Sequence, residues 1–258
     1  MDSIIERILL SVRHNISNGY YSVNSDEIPS KISLKKQIAF CKTNPVIAEM
    51  KFSSPSHGVL RENDDSLRII EQFEIGGAVG VSILTEKDHF NGSIERFKKI
   101  RNKTNLPLLM KDFIISPVQI DAARNIGASA VLLISSLFNN DQCEFNIDEM
   151  LNYVHSNGLE ALLEVHDENE YELALQTKAD LIGINNRDLS NMTVDLSTTG
   201  RIISSHTNTN KIIVSESGIE NSSHIRLLRD SGAQAFLVGA SIMRSSDIVS
   251  KIKELVEV

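Results

Sequence analysis

From about residue 46 onward, two kinds of segment alternate along the chain. Short apolar runs rich in Val, Ile and Leu, bounded by Gly, Pro or polar residues, are typical of buried parallel strands. Each run is followed by a stretch with helical periodicity. The eight runs are VIAEMKF (46–52), GVSILTE (80–86), PLLMKDF (107–113), AVLLISS (130–136), EALLEVH (160–166), LIGINNR (181–187), KIIVSES (211–217) and AFLVGAS (235–241).

Two of the intervening stretches carry clear helix-end signals. SPVQIDAARNIGA ends in Gly127, and NSSHIRLLRDSGA has Asn221 or Ser222 as a cap and ends near Gly232. Eight strand–helix pairs fit either a doubly wound open sheet or a closed barrel. Their number is that of a (β/α)8 TIM barrel, so we predict this α/β fold.

Residues 1–45 lie outside the repeat, and IIERILLSVRHNI (4–16) has the pattern of an amphipathic helix. We expect this N-terminal helical extension to cover one mouth of the barrel or to pack on its side. The predicted organisation is therefore an extension at 1–45 and a barrel at 46–258, forming a single domain overall.

Charge and composition limit the kinds of binding partner that we expect. Lys and Arg number 26 against 34 Asp and Glu, which gives a net charge of −8 with no basic cluster. Nucleic acid is therefore not expected as the main partner, because binding to a phosphate backbone needs a positive face. No apolar run approaches membrane-spanning length, and the N-terminus lacks a signal-peptide pattern. With Cys41 and Cys143 far apart, we expect reduced thiols in a cytoplasmic protein, either a monomer or a weak homodimer.

Polar residues recur near the C-terminal ends of five runs. Strand side chains alternate in direction, and active sites of barrel enzymes lie at the C-terminal ends of the strands. A single charge there can simply mark where a strand meets solvent, but five strands in one register favour a common site. The residues concerned are Glu49, Lys51, Lys111, Glu164, His166, Asn185, Arg187 and Glu216.

Glycines follow the seventh and eighth runs, where barrels often bind phosphate through backbone N–H groups. Gly218 comes after Glu216 and Ser217, and Gly239 comes before Ala240 and Ser241. These glycines could equally serve as simple turns. The sequence shows no GxSxG, P-loop or GxGxxG motif, and no HExxH zinc motif, so no metal site is expected.

Taken together, these segments resemble the indole-3-glycerol phosphate synthase family. The resemblance runs from about residue 46 to 247. It is carried by AEMKFSSPSHG, ILTEKDHFNGS, LLMKDFIISPVQIDAARNIGASAVLLI, LLEVHDENE, LIGINNRDL, VDLSTTGRI, IVSESGI and FLVGASIMR, in that order.

The resemblance implies ring closure of 1-(2-carboxyphenylamino)-1-deoxy-D-ribulose 5-phosphate to indole-3-glycerol phosphate, with loss of carbon dioxide and water and without a cofactor. Lys111 would be the general acid, Glu164 the acid–base group of the dehydration, with a share for Lys51, and Glu49 would pair with Lys111. The other implied site residues are Asn185, Ser54, Arg187, Glu216 and Ser217 around the substrate, Leu84, Phe90, Phe113 and Leu132 around its aromatic ring, and Lys51, Gly218, Gly239, Ala240 and Ser241 at its phosphate.

Three positions depart from the family pattern, and two alternatives stay open. His57 stands where Lys is usual, His89 where Tyr is common, and Ala240 where a hydroxyl or acidic residue is frequent. One alternative is another phosphosugar barrel enzyme, such as phosphoribosylanthranilate isomerase, which would rely on a Cys/Asp pair. The other is an inactive phosphate-binding barrel that serves as a binding module.

Overall fold

The eight apolar runs form eight parallel strands that close into a barrel in the computed structural model, which describes residues 4–24, 32–54, 58–61, 65–188, 191–206 and 209–257. The prediction of a (β/α)8 barrel is confirmed. The barrel strands are β1 (Val46–Met50), β4 (Gly80–Leu84), β5 (Leu108–Lys111), β6 (Ala130–Ile134), β7 (Glu160–Val165), β8 (Leu181–Asn185), β9 (Ile212–Glu216) and β10 (Ala235–Val238).

Closure is made by β1, which pairs in parallel with β4 on one side and with β10 on the other. Ile47 stands opposite Gly80 and opposite Leu237 in these two pairings. A short antiparallel hairpin, β2 (Ser53–Ser54) with β3 (Gly58–Val59), follows β1 and lies outside the barrel sheet. The sequence pattern gave no sign of this hairpin.

Helices separate the strands and lie around the barrel. Ile69, Phe73 and Phe97 belong to the apolar layer between helices and strands, and all three are buried. Leu109, Leu132 and Leu162 belong to a separate cluster inside the barrel. The helices after β1 are α3 (Ser66–Gly76), α4 (Lys87–Phe90), α5 (Ile94–Arg101), α6 (Pro117–Asn125), α7 (Ser135–Asn139), α8 (Ile147–Ser156), α9 (Glu168–Gln176), α10 (Ser197–Ser205), α11 (Ser222–Asp230), α12 (Ala240–Arg244) and α13 (Ile248–Val256).

The helix ends follow the signals in the sequence. Ser116 caps α6 in a capping box, with Pro117 at its first position, and Gly127 beyond its end has φ +79°. Asn221, not Ser222, caps α11, because its carboxamide oxygen accepts from two N–H groups of the first turn.

The N-terminal segment forms two helices that reach opposite ends of the barrel. α1 (Ile4–Ser17) lies beside α4 at the C-terminal end of the strands, where Asn15 Nδ2 donates to Asp88 Oδ2 at 2.7 Å. α2 (Leu34–Phe40) lies at the other end, where the Lys35 N–H donates to Glu160 at the start of β7. Leu34 is fully buried in the apolar cluster inside the barrel. No helix within the described ranges has the length and apolar character needed to cross a membrane.

Candidate functional site

A cavity of about 370 Å³ opens at the C-terminal ends of the barrel strands. Its floor is polar and one of its walls is apolar and aromatic. This is the end of the barrel at which the sequence places the candidate site. The lining includes Glu49, Lys51, Leu84, Glu86, Phe90, Lys111, Asp112, Phe113, Leu132, Ile134, Glu164, Asn185, Arg187, Met192, Val194, Glu216, Ser217, Gly218, Ile219, Glu220, Leu237, Val238, Gly239, Ala240, Ser241 and Arg244.

Lys111 occupies the centre of the polar floor. Its Nζ lies 3.3 Å from Glu164 Oε2 and 3.3 Å from Glu216 Oε2, so one ammonium bridges the ends of β7 and β9. The side chains of both glutamates are at most 3% exposed. Because buried carboxylates are costly unless paired, this bridge allows both strands to carry an acidic residue inside the barrel.

A second ion pair lies at the end of β1. Lys51 Nζ is 2.6 Å from Glu49 Oε1, two residues apart along the chain. The resemblance implied that Glu49 pairs with Lys111; its ion pair in the structure is with Lys51, while its charge still acts on nearby Lys111. The neighbouring lysine on the same side of the strand takes its carboxylate, while Lys111 is bound by Glu164 and Glu216.

The carboxylates control protonation on the floor. Burial alone would lower the pKa of Lys111, but attraction to Glu216, Glu164 and Glu49 raises it above its ordinary value. Burial raises the pKa of Glu216 to about 7; attraction to Lys111 opposes this rise, and the charges of Glu164 and Glu49 add to it. Burial disfavours the charge on Glu164, but Lys111 holds its pKa below the usual range. Lys111 therefore stays protonated at neutral pH, and Glu164 stays ionised.

Asn185 and Arg187 extend the polar floor from β8. Asn185 Nδ2 donates to Glu164 Oε1 at 3.1 Å, and its Oδ1 accepts from the Arg187 N–H at 3.0 Å. The Arg187 guanidinium donates to the Met192 carbonyl at 2.8 Å, and Arg187 also pairs with Val194 through a β-bridge. Arg187 therefore braces the loop after β8, and this loop supplies Met192 and Val194 to the cavity wall.

The apolar wall is formed by two phenylalanines and two leucines. Phe90 and Phe113 have ring centroids 5.9 Å apart, and Leu84 and Leu132 line the same cavity. Leu84 and Leu132 are buried, whereas the two phenylalanines are partly exposed. The structure thus brings together the four residues for which the family resemblance implied binding of the aromatic ring.

Two backbone turns form the opposite rim. Ser217 and Gly218 both have positive φ, +69° and +80°, directly after β9. A Cβ at Gly218 would lie 2.4 Å from Val194 Cγ1, so a larger residue would push on the loop that Arg187 braces. Gly239 precedes the first turn of α12, and the Ser241 hydroxyl there donates to the Ile219 carbonyl at 2.8 Å.

Several cavity residues were not predicted. Asp112 is buried beside Lys111, where it accepts from Tyr21 Oη at 3.0 Å and from Thr85 Oγ1 at 2.6 Å. Glu86 is fully buried as the cap of α4. Both lie at the ends of the predicted runs 80–86 and 107–113. Asp112 has the register opposite to Lys111, whereas Glu86 shares the register of Leu84 and could have been predicted from it.

The departures from the family pattern fall in different places. His57 lies outside the described residues, as does the side chain of Ser54. His89 Nε2 lies 3.0 Å from Ser11 Oγ, so it joins α4 to α1. Ala240 begins α12 at the cavity rim.

The described residues offer little support for two other kinds of site. They contain no group of three or more His, Cys, Asp and Glu side chains placed to hold a metal ion. Cys41 follows α2, and Cys143 Sγ lies 3.8 Å from the Ile114 carbonyl oxygen, so neither cysteine lines the cavity. A Cys/Asp acid–base pair is therefore not available there.

Comparisons with known proteins agree with this geometry. A family model described as indole-3-glycerol phosphate synthase matches residues 3–255. The chain is 37% identical over 269 residues to the indole-3-glycerol phosphate synthase of Roseiflexus sp. (strain RS-1), covering 99% of this chain and 98% of that protein. It is 38% identical over 258 residues to the one from Staphylococcus aureus (strain Newman), covering 98% and 97%.

A solved structure of thiamine phosphate pyrophosphorylase from Pyrococcus furiosus is similar with a TM-score of 0.61 and 16% identity, covering 86% of this chain and 96% of that one. At this level of identity the likeness shows the barrel fold alone. The family model and the relatives that match over nearly their full length identify the family and not only the fold. The chain therefore belongs to the indole-3-glycerol phosphate synthase family.

Proposed function

We propose that Lys111 is the general acid of indole ring closure in this chain, and that Glu164 is the acid–base group of the dehydration. The substrate is 1-(2-carboxyphenylamino)-1-deoxy-D-ribulose 5-phosphate. The observation that carries this assignment is the position of the Lys111 ammonium, 3.3 Å from Glu164 and from Glu216 on the floor of a cavity with an aromatic wall. The roles of individual residues follow from that arrangement.

In the first step, the aryl carbon that bears the carboxylate bonds to the ketone carbon of the ribulose chain. The electron pair of the C=O bond moves to oxygen, which takes a proton from Lys111 Nζ. The surrounding carboxylates keep Lys111 protonated before the reaction. An alkoxide is a stronger base than a primary amine, so the transfer runs toward oxygen even though the pKa of Lys111 is raised.

Loss of carbon dioxide returns an electron pair to the ring and restores its aromaticity. Dehydration then removes a proton from the methylene carbon attached to nitrogen and the hydroxyl from the former ketone carbon. Glu164 is ionised and suits the base of this step, since Asn185 orients the carboxylate through Oε1 while Oε2 faces Lys111 on the cavity floor. Lys51, paired with Glu49, supplies a second ammonium for the departing hydroxyl. The products are indole-3-glycerol phosphate, carbon dioxide and water, so the atoms balance without an oxidant.

Binding divides between the two sides of the cavity. The anthranilate ring packs on Leu84, Phe90, Phe113 and Leu132, which line one wall. The phosphate lies at the backbone N–H groups of Gly218 and of 239–241, with Lys51 as a point charge. Asn185 holds the substrate hydroxyls, and Glu216, Ser217 and Arg187 complete the surroundings.

The test supplies this substrate to the purified protein and follows indole fluorescence. We expect the parent to form product, and Lys111→Ala to lose about 10³-fold in kcat while it still binds the substrate. Lys178→Ala, at an exposed lysine that contacts Asn152, is the matched control and should keep the parental rate. A folded parent that binds substrate without turnover would instead support the inactive binding barrel. A Lys111→Ala rate near that of the parent would reject Lys111 as the acid.

A further inference from the structure

His166 links the site to a buried glutamate of the next helix. It lies two residues after Glu164, so its side chain points to the same side of the barrel wall. His166 Nε2 is 3.2 Å from Glu164 Oε1, and its Nδ1 is 3.4 Å from Glu170 Oε2. The imidazole is 15% exposed and lies between the two carboxylates.

Glu170 is held firmly in place. It is in the first turn of α9, where its N–H donates to the Oδ1 of the cap residue Asp167 at 2.8 Å. Its Oε2 accepts from the His166 backbone N–H at 2.9 Å as well as facing the imidazole. Because both the backbone N–H and the carboxylate of Glu170 are hydrogen-bonded, the carboxylate is fixed and can orient the imidazole ring that it faces.

We propose that His166, held as an imidazolium by Glu170, is a positioning residue whose charge faces Glu164 Oε1 and leaves Oε2 as the oxygen that exchanges protons. This proposal rests on the proposed role of Glu164. Asn185 Nδ2 donates to Oε1, which His166 Nε2 approaches to 3.2 Å without hydrogen-bond geometry, whereas Oε2 faces the Lys111 ammonium on the cavity floor. The arrangement therefore separates a held oxygen from a working oxygen on one carboxylate.

The surrounding charges favour the imidazolium. Burial disfavours the charged ring, but hydrogen bonding and attraction to Glu164 and Glu170 raise the pKa of His166 to about 10. Among the neighbouring elements, β8 presents the neutral Asn185, and α7 has no ionisable side chain. On α10, Arg201 is paired with Glu168, the first residue of α9.

Two substitutions that remove a charge give opposite pH signatures. In His166→Gln the positive charge at Oε1 is lost, so the pKa of Glu164 rises. We expect the acidic limb of the kcat profile to move up by about one pH unit. Glu164 stays ionised at neutral pH in both proteins, so a fall in kcat of about tenfold there, with KM within about twofold, would report the lost orientation of the carboxylate. In Glu170→Gln the imidazolium is kept at low pH, but its pKa falls. That variant should match the parent near pH 6 and lose kcat as pH rises past the lowered pKa.

The control is Glu172→Gln on the same helix, where an exposed carboxylate lies 3.9 Å from His206. It should leave the kcat profile unchanged. If the first two variants lose thermal stability but keep the parental pH profile, His166 is merely structural and the proposal fails. In that case the parent still forms indole-3-glycerol phosphate, which separates this failure from failure of the proposed function.

A second readout does not depend on turnover. The imidazole resonances of His166 can be assigned by their absence in His166→Gln and followed by NMR across pH in the substrate-free parent. We expect them to remain those of an imidazolium at pH 8. Titration near the ordinary histidine value of about 6.5 would overturn the proposal.

Discussion

Gly183 allows the Glu216 carboxylate to lie inside the barrel, and replacing it with alanine should disturb the site directly. Gly183 lies on β8 between Leu181 and Asn185, in the register that faces the barrel interior. A Cβ there would be 2.1 Å from Glu216 Oε1 and 3.3 Å from Leu162 Cδ1. Ordinary contact begins at 3.4 Å, so the carboxylate oxygen has to move by about 1.3 Å.

The magnitude follows from that displacement. Glu216 Oε2 lies 3.3 Å from Lys111 Nζ, and a shift of this size breaks or reorients the contact. A misplacement of about 1 Å at a catalytic group can cost about 10²-fold in rate. Overpacking in a filled core costs about 1–3 kcal/mol in the free energy of unfolding. We expect Gly183→Ala to show both effects.

The assay combines steady-state indole fluorescence with urea denaturation. Gly200→Ala is the matched control, because its Cβ on α10 would meet only Ser231, with Oγ at 3.1 Å and Cβ at 3.3 Å, and neither residue lines the cavity. The double variant Gly183→Ala/Glu216→Asp shortens the displaced side chain and should recover stability without recovering kcat. Parental kcat and stability in Gly183→Ala would refute the steric reasoning.

Three further predictions concern other parts of the molecule. Burial raises the pKa of Asp112 to about 7, so the unfolded carboxyl releases its proton at lower pH than the folded one. The free energy of unfolding of the parent should therefore fall between about pH 4 and pH 7. In Asp112→Asn this fall should be smaller by a few kcal/mol, as measured by denaturation at both pH values. An equal fall in the parent and the variant would contradict the prediction. Ser241→Ala should leave KM within about twofold and cost about 1 kcal/mol of stability, because the hydroxyl is donated to the Ile219 carbonyl; a large rise in KM would instead show that the hydroxyl binds phosphate. Leu34→Ala should cost about 2–5 kcal/mol on denaturation yet keep the parental kcat, since Leu34 is buried at the barrel end opposite the cavity; a parallel fall in kcat would argue against this separation.

The candidate site was largely predictable because of strand periodicity. Glu49, Lys111, Glu164, Asn185 and Glu216 each lie at the end of an apolar run, and parallel strands bring such ends to one side of a barrel. Period-two alternation then places their side chains inside. The family blocks added the reaction, which neither the periodicity nor the charges could supply.

The pairing of those side chains could not be predicted. Glu49 was expected to bind Lys111, but it binds Lys51, because each lysine has several acidic neighbours within reach and the barrel geometry selects among them. The same holds for Asp112, which is bound by Tyr21 from a distant part of the chain. Contacts between residues far apart in sequence depend on the angles and distances of packed elements.

Local periodicity and capping signals were enough to predict the eight strands, the end of α6 near Gly127 and most of the charged residues that face the cavity, but they left Asn221 and Ser222 open as the cap of α11. The tertiary structure decided that the sheet closes, because closure requires β1 to pair with both β4 and β10. It also decided that α1 and α2 lie at opposite ends of the barrel. Most of all, it decided the charge balance around Lys111, because the strength of each ion pair depends on burial and on distances that only the closed barrel sets.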